Sequence, residues 1–134
     1  MNLYKHEINV AKPQTMVKIT DFVRQDIRKS KFRSGIAVVF CPHTTAGITI
    51  NENADPDVQR DILYGYEKAF PTNDGKYRHF EGNSHAHMKA SAMGASATVI
   101  FGEGELILGT WQDLYFCEYD GPRYRKFYVK IMEG

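Results

Sequence analysis

No apolar run in this 134-residue chain approaches the ~20 residues that a helix needs to cross a bilayer. The opening residues, Met1-Asn2-Leu3-Tyr4-Lys5-His6, lack an apolar h-region, so no secretory signal is expected. An excess of one charge is missing as well: 17 Lys and Arg against 16 Asp and Glu leave +1. That balance argues against a general electrostatic grip on nucleic acid or an anionic membrane. Cysteine is scarce. Cys41 and Cys117 lie in apolar or aromatic runs without C-x-x-C spacing, which reads as buried free thiols in a reducing compartment. There is no P-loop, no G-x-G-x-x-G and no G-x-S-x-G. The chain is also too short for a (β/α)₈ barrel, which takes roughly 250 residues. No repeat, low-complexity stretch or linker divides it. What remains is a single soluble domain over residues 1–134, expected in the cytoplasm, with enough apolar residues (43%) for a real core.

Leu3 to Val10 alternates as a strand should, and Thr15 to Ile19 reads as a second, short one. Thr20 or Asp21 is placed to cap a helix with Phe22, Val23 and Ile27 on one broad face, ending near Gly35. Ile36 to Cys41 is a continuous apolar run with β-branched members, hence a buried strand. Ala46 to Asn51 alternates again. Asp55 then suits an N-cap and Pro56 the first turn of a helix striped by Val58, Ile62, Leu63, Tyr66 and Phe70. A polar loop follows to Phe80. Asn83 or Ser84 opens a shorter helix that Gly94 should stop. Ala97–Phe101, Glu105–Leu108, Trp111–Glu118 and Tyr124–Met132 complete eight strands. Short turns between consecutive strands favour antiparallel pairing, so the expected class is α+β: a two-sheet sandwich with two main helices and one short helix.

Polar residues at the ends of buried strands carry the chemical information. Cys41-Pro42-His43-Thr44-Thr45 sets an imidazole and two hydroxyls between apolar strands. Asn51-Glu52-Asn53-Ala54-Asp55 follows at the other end of Ala46 to Ile50, where Asp55 needs no role beyond capping. The densest cluster is His79-Phe80-Glu81-Gly82-Asn83-Ser84-His85-Ala86-His87. Asn83 and His87, four apart, share a helix face, whereas His85 points away. Imidazole is a common metal ligand, so His79 and His87, completed by His43, make a plausible centre, although the spacing matches no stock zinc motif. The bland alternative is one buried, hydrogen-bonded histidine among solvated ones. Further on, Arg123 and Arg125 alternate with Tyr124, and two guanidinia on one face can hold a phosphate or carboxylate. Against that stands a simple Asp120–Arg123 turn with a local ion pair. The aromatics Trp111, Tyr115, Tyr119, Tyr124 and Tyr128 belong either to the core or to a partner subunit.

Five motifs, in order, resemble the YjbQ family: His43-Thr44-Thr45-Ala46-Gly47; Asn51 to Pro56; Asn83 to His87; Leu108-Gly109-Thr110-Trp111-Gln112; and Glu118 to Arg123. Together they span nearly the whole chain. The family has also been named secondary thiamine-phosphate synthase. The resemblance implies an α+β sandwich assembled as a homotrimer, and an activity that joins an aminopyrimidine pyrophosphate to a thiazole phosphate and expels pyrophosphate. His43, Glu52, Asp55, His79, Asn83, His87, Trp111, Gln112, Glu118 and Arg123 fall on its motif residues. On that basis His43, His87 and Glu52 are the catalytic candidates. Thr44, Thr45, Asn83, Trp111, Gln112 and Arg123 are expected to hold a phosphorylated substrate. His43, His79, His87 and Asp55 are the candidate ligands of a divalent metal, zinc or magnesium. Pyrophosphate departure needs charge neutralisation, by a metal or by basic side chains. Two other readings stand beside the enzyme: a metal- or small-ligand-binding homotrimer without turnover, and a structural trimer with a histidine-lined channel.

Overall fold

The computed structural model describes residues 1–134 as eight strands and three helices. In chain order these are β1 (Leu3–Val10), β2 (Thr15–Lys18), α1 (Thr20–Ser30), β3 (Gly35–Phe40), β4 (Ala46–Glu52), α2 (Pro56–Ala69), α3 (Ser84–Met93), β5 (Ser96–Gly102), β6 (Glu105–Leu106), β7 (Gln112–Glu118) and β8 (Arg123–Glu133). The strands form two antiparallel sheets, β1-β8-β3-β5-β6 and β2-β7-β4, in an α+β fold. The expected antiparallel pairing is present. Adjacency in sequence is not its basis, however, because β5 and β6 are the only consecutive strands that are also neighbours.

Alternation on β8 drives the packing. Arg125, Phe127, Val129 and Ile131 point inward and are buried. Phe127, Val129 and Ile131 meet Ala37 and Val39 of β3, Leu114 and Phe116 of β7, and Val23 and Ile27 of α1 in the main core. A second, smaller core lies on the far side of the β2-β7-β4 sheet. There Tyr115, Cys117 and Tyr119 are covered by Ala86 and Ala90 of α3 and by Leu63 and Tyr66 of α2. Both cysteines are free and buried. The outer face of the five-stranded sheet is bare, leaving Phe40, Ile100, Tyr124 and Met132 exposed.

Several local readings change. Helix α1 stops at Ser30, where Lys31 takes the left-handed conformation, so Gly35 starts a strand instead of ending a helix. Neither Thr20 nor Asp21 caps it: Thr20 Oγ1 donates to Asp113 and accepts from the Leu114 N–H. The strand expected over Glu105–Leu108 is only two residues long. By contrast, Asp55 caps α2 through the Asp57 N–H with Pro56 in the first turn, and Gly94 follows α3.

Candidate functional site

Two connections switch the chain between sheets at the same end of the sandwich. One is Cys41–Thr45, leading from β3 in the large sheet to β4 in the small one. The other is Tyr119–Pro122, leading from β7 back to β8. The pairing of Ala46 with Glu118 brings them side by side. Gly47, beside Ala46, lets the end of α3 close in, since a Cβ there would sit 2.6 Å from the Gly94 carbonyl oxygen. The start of α3 thereby joins the two switches, and the three enclose a cavity of about 300 Å³. Of its ten lining residues, all but Pro42 are polar or charged.

A buried brace underlies this cavity. Arg125 Nε donates to Glu118 Oε1 at 2.6 Å, and its terminal nitrogen donates to Glu118 Oε2 at 2.5 Å and Thr45 Oγ1 at 2.8 Å. Both side chains are almost wholly buried. Arg123 and Arg125 do line the same cavity, but Arg125 is spent inside the protein on Glu118 and Thr45. Thr45 is buried in the same brace. Arg123 stays half-exposed, but its fork holds the Asp120 carboxylate (3.0 Å) and carbonyl (2.8 Å). Asn83 Nδ2 donates to the same Asp120 carboxylate at 2.9 Å, which ties α3 to the turn. Glu118 Oε2 fixes that turn further by accepting the Asp120 N–H.

His43 and Thr44 lie between this polar cavity and a second one of about 480 Å³, which is lined by small residues of α3. His43 stands edge-on to Phe116, and its Nε2 lies 3.0 Å from the Lys126 amide nitrogen and 3.1 Å from the Lys126 carbonyl oxygen. Burial, and then the Arg125 guanidinium, hold its imidazole below the usual histidine range. His87 lines both cavities and also shares a third with His79. The His79 and His87 rings meet edge to face at 5.5 Å.

The remaining candidates lie elsewhere. Glu52 is at the opposite end of β4, seven residues from Thr45, or about 20 Å along a strand. Its carboxylate accepts the N–H groups of Ala54 and Asp55, and Asp55 in turn caps α2. Gln112 pairs with Glu52 across the sheet and its side chain accepts the Gly109 N–H, while Trp111 is exposed beside it. A single chain thus brings His43, Thr44, Asn83, His87 and Arg123 together and keeps Glu52, Asp55, Trp111 and Gln112 apart from them. No three His, Cys, Asp or Glu side chains gather as a ligand set, so Asp55 does not join the histidines around one metal within the chain. His6 lies elsewhere, bonded to buried Asp26 at 2.6 Å.

A family model described as UPF0047 protein YjbQ-like matches residues 4–134. The chain belongs to the YjbQ-like UPF0047 family. YugU of Bacillus subtilis is 52% identical over 126 residues, covering 94% of this chain and 96% of that protein. A UPF0047 protein of Methanocaldococcus jannaschii is 50% identical over 130 residues, covering 97% and 94%. A solved YjbQ/UPF0047 structure from Clostridium acetobutylicum has a TM-score of 0.94 and 54% identity, covering 96% of this chain and 99% of that one. The fold is thus that of the YjbQ-like family.

Sequence reasoning assigned no role to the buried charges Glu118 and Lys89. Glu118 ends an otherwise apolar and aromatic strand, which was the available signal for the Arg125 brace. Lys89, the one lysine on α3, is wholly buried and donates to Glu67 at 2.6 Å and to His85 Nδ1 at 2.8 Å. His85 is therefore the buried, satisfied member of the histidine cluster.

Proposed function

We propose that this chain is a small enzyme acting on a phosphorylated metabolite held where the two sheet-switching connections meet α3. The observation that carries the reading is the cavity wall, in which nine of ten residues are polar or charged. Helix α3 supports it by starting beside the cavity, at Asn83, with the Ser84 and His85 N–H groups of its first turn left without a backbone acceptor, a natural seat for phosphoryl oxygens. Arg123, half-exposed on the opposite wall, supplies a fork suited to the same oxygens. Thr44 adds a hydroxyl. In the named form of the activity, the thiazole nitrogen attacks the pyrimidine methylene carbon while the carbon–oxygen bond to pyrophosphate breaks. These donors would stabilise the charge that accumulates on the departing group. His87, reachable from all three cavities, is placed for proton transfer.

The proposed assembly is a homotrimer, in keeping with the bare apolar outer face of the large sheet. Glu52, Trp111 and Gln112 could reach a cleft only in a neighbouring copy. A divalent metal would find two imidazoles, His79 and His87, whose separation suits a shared ion: bonds of ~2.1 Å put ring centres about 5 Å apart. The chain supplies no third ligand to that pair, so no step is assigned to a metal. The proposed setting is the cytoplasm; no helix is long and apolar enough to cross a membrane. The second reading, a ligand-binding homotrimer without turnover, is favoured by the pairing of Asp120 with Arg123 and Glu118 with Arg125. The experiment is a turnover assay with the aminopyrimidine pyrophosphate and thiazole phosphate, with calorimetry on the same pair. Product formation that disappears in His87→Ala supports the enzyme. Binding without product leaves the second reading in front.

A further inference from the structure

The strand register explains why the His43 ring sits where it does. Phe40 pairs with Tyr128, so two more residues of β3 would set Pro42 opposite Lys126. Proline has no N–H to offer, and the strand ends before it. The Lys126 N–H and C=O would then lack a strand partner on that side. The His43 ring replaces it, with Nε2 3.0 Å from the nitrogen and 3.1 Å from the oxygen. One ring nitrogen serves one of these groups at a time. Unprotonated, Nε2 accepts from the N–H; protonated, it donates to the C=O.

Two considerations decide between them. A backbone N–H is rarely left without an acceptor, whereas a C=O tolerates under-use better. A bare Nε2 also requires a neutral ring, and burial, followed by the Arg125 guanidinium, favours one. The Lys126 carbonyl and Glu118 act the other way, but Glu118 is already engaged by Arg125, and the ring stays below the usual histidine range. We propose that His43 is fixed as the Nδ1–H tautomer and presents that proton as a standing hydrogen-bond donor to a phosphoryl or carbonyl oxygen in the cleft. It has no lone pair at Nδ1 for a base or a metal, and its Nε2 is closed by the backbone. The ring thus polarises an oxygen without gaining or losing charge. The choice of acceptor rests on the phosphate reading of the cleft; the tautomer does not.

Long-range proton–nitrogen correlation spectra of the nitrogen-15-labelled full chain test this, with His43 assigned by its loss in His43→Gln. The expected result is an unprotonated shift at Nε2 and a protonated one at Nδ1 at neutral pH, with Nδ1–H moving when inorganic pyrophosphate is added. His43→Gln can still accept the Lys126 N–H through Oε1, which turns its amide N–H groups toward the Lys126 C=O and leaves no donor at the Nδ1 position. It should keep its thermal midpoint and bind pyrophosphate about 10- to 100-fold more weakly, as for a lost hydrogen bond to a charged group. An unprotonated Nδ1, or a Nδ1 that takes a metal-bound shift with zinc, would overturn the tautomer. Equal pyrophosphate affinity in the two proteins would overturn the donor role. Failure of the wild type to bind pyrophosphate would overturn the phosphate reading and the named acceptor, while the nitrogen shifts would still decide the tautomer.

Discussion

Cutting the Arg125–Glu118 brace on one side should damage the protein far more than removing it from both. Arg125→Met leaves the Glu118 carboxylate wholly buried, with the Asp120 N–H as its one remaining partner. Stranding a buried charge in this way costs about 3–5 kcal/mol. A domain of this size has a total stability of ~5–15 kcal/mol, so the single variant should lose about a fifth of it or more. At roughly 3–5 °C per kcal/mol, the thermal midpoint falls by about 10–25 °C. Replacing both charges, as Arg125→Met with Glu118→Leu, removes the stranded carboxylate and should recover most of the loss. Urea unfolding of the wild type, both single variants and the pair closes a double-mutant cycle. The expected coupling is ~2–4 kcal/mol, well above the ~0.5 kcal/mol within which independent sites add. Additive losses would refute the reasoning. The double variant should still bind ligand less well, because the Asp120 turn that carries Arg123 loses the Glu118 Oε2 anchor and keeps only Asn83 as a side-chain tie.

Other outcomes follow from the same geometry. Burial alone would raise the Glu67 carboxyl, but hydrogen bonds from Lys89 and Thr72 outweigh it and bring its pKa to about 2. A depressed acid stabilises the fold above its ordinary value and loses that contribution as pH falls, so urea stability should drop between pH ~4.5 and about 2. Glu67→Gln should flatten that slope, and an unchanged slope would contradict the assignment. Gly47→Ala forces a methyl group against the Gly94 carbonyl and should destabilise by about 1–3 kcal/mol in chemical denaturation. His87→Ala should abolish turnover with unchanged circular dichroism and oligomeric state, because its ring lines cavities and is absent from both cores. Arg123→Lys should weaken substrate binding more than it slows turnover, since a point charge replaces a planar fork.

Local patterns were legible wherever neighbours in sequence decide the structure. Alternation marked the strands, and Asp55-Pro56 marked the start of α2. The turn glycine at 94 marked the end of α3. Illegible features depend on distant partners. Thr20 looks like a cap, yet it is drawn to Asp113 and Leu114 on a strand more than ninety residues away. The sequence Phe40 to Ala46 looks like a hairpin turn, but β3 and β4 belong to different sheets. The site shows the same division. His43, Asn83, His87 and Arg123 were named from motifs and do converge on one cleft. That Arg125 is consumed by Glu118 and Thr45 emerges only once two sheets meet, because β7 and β8 are not strand neighbours. Glu52 and Asp55 are site candidates through the family motifs, while within this chain their carboxylates are engaged in turn and helix capping.

The most direct test of the phosphate reading is a crystal structure of the protein soaked with pyrophosphate and thiazole phosphate. The account predicts difference density in the cleft between the two sheet switches and α3. Its phosphoryl oxygens should lie within hydrogen-bond distance of Arg123, Thr44 and the first N–H groups of α3. Ligand density confined to the Glu52–Trp111–Gln112 end of β4, or an empty cleft at saturating ligand, would contradict it.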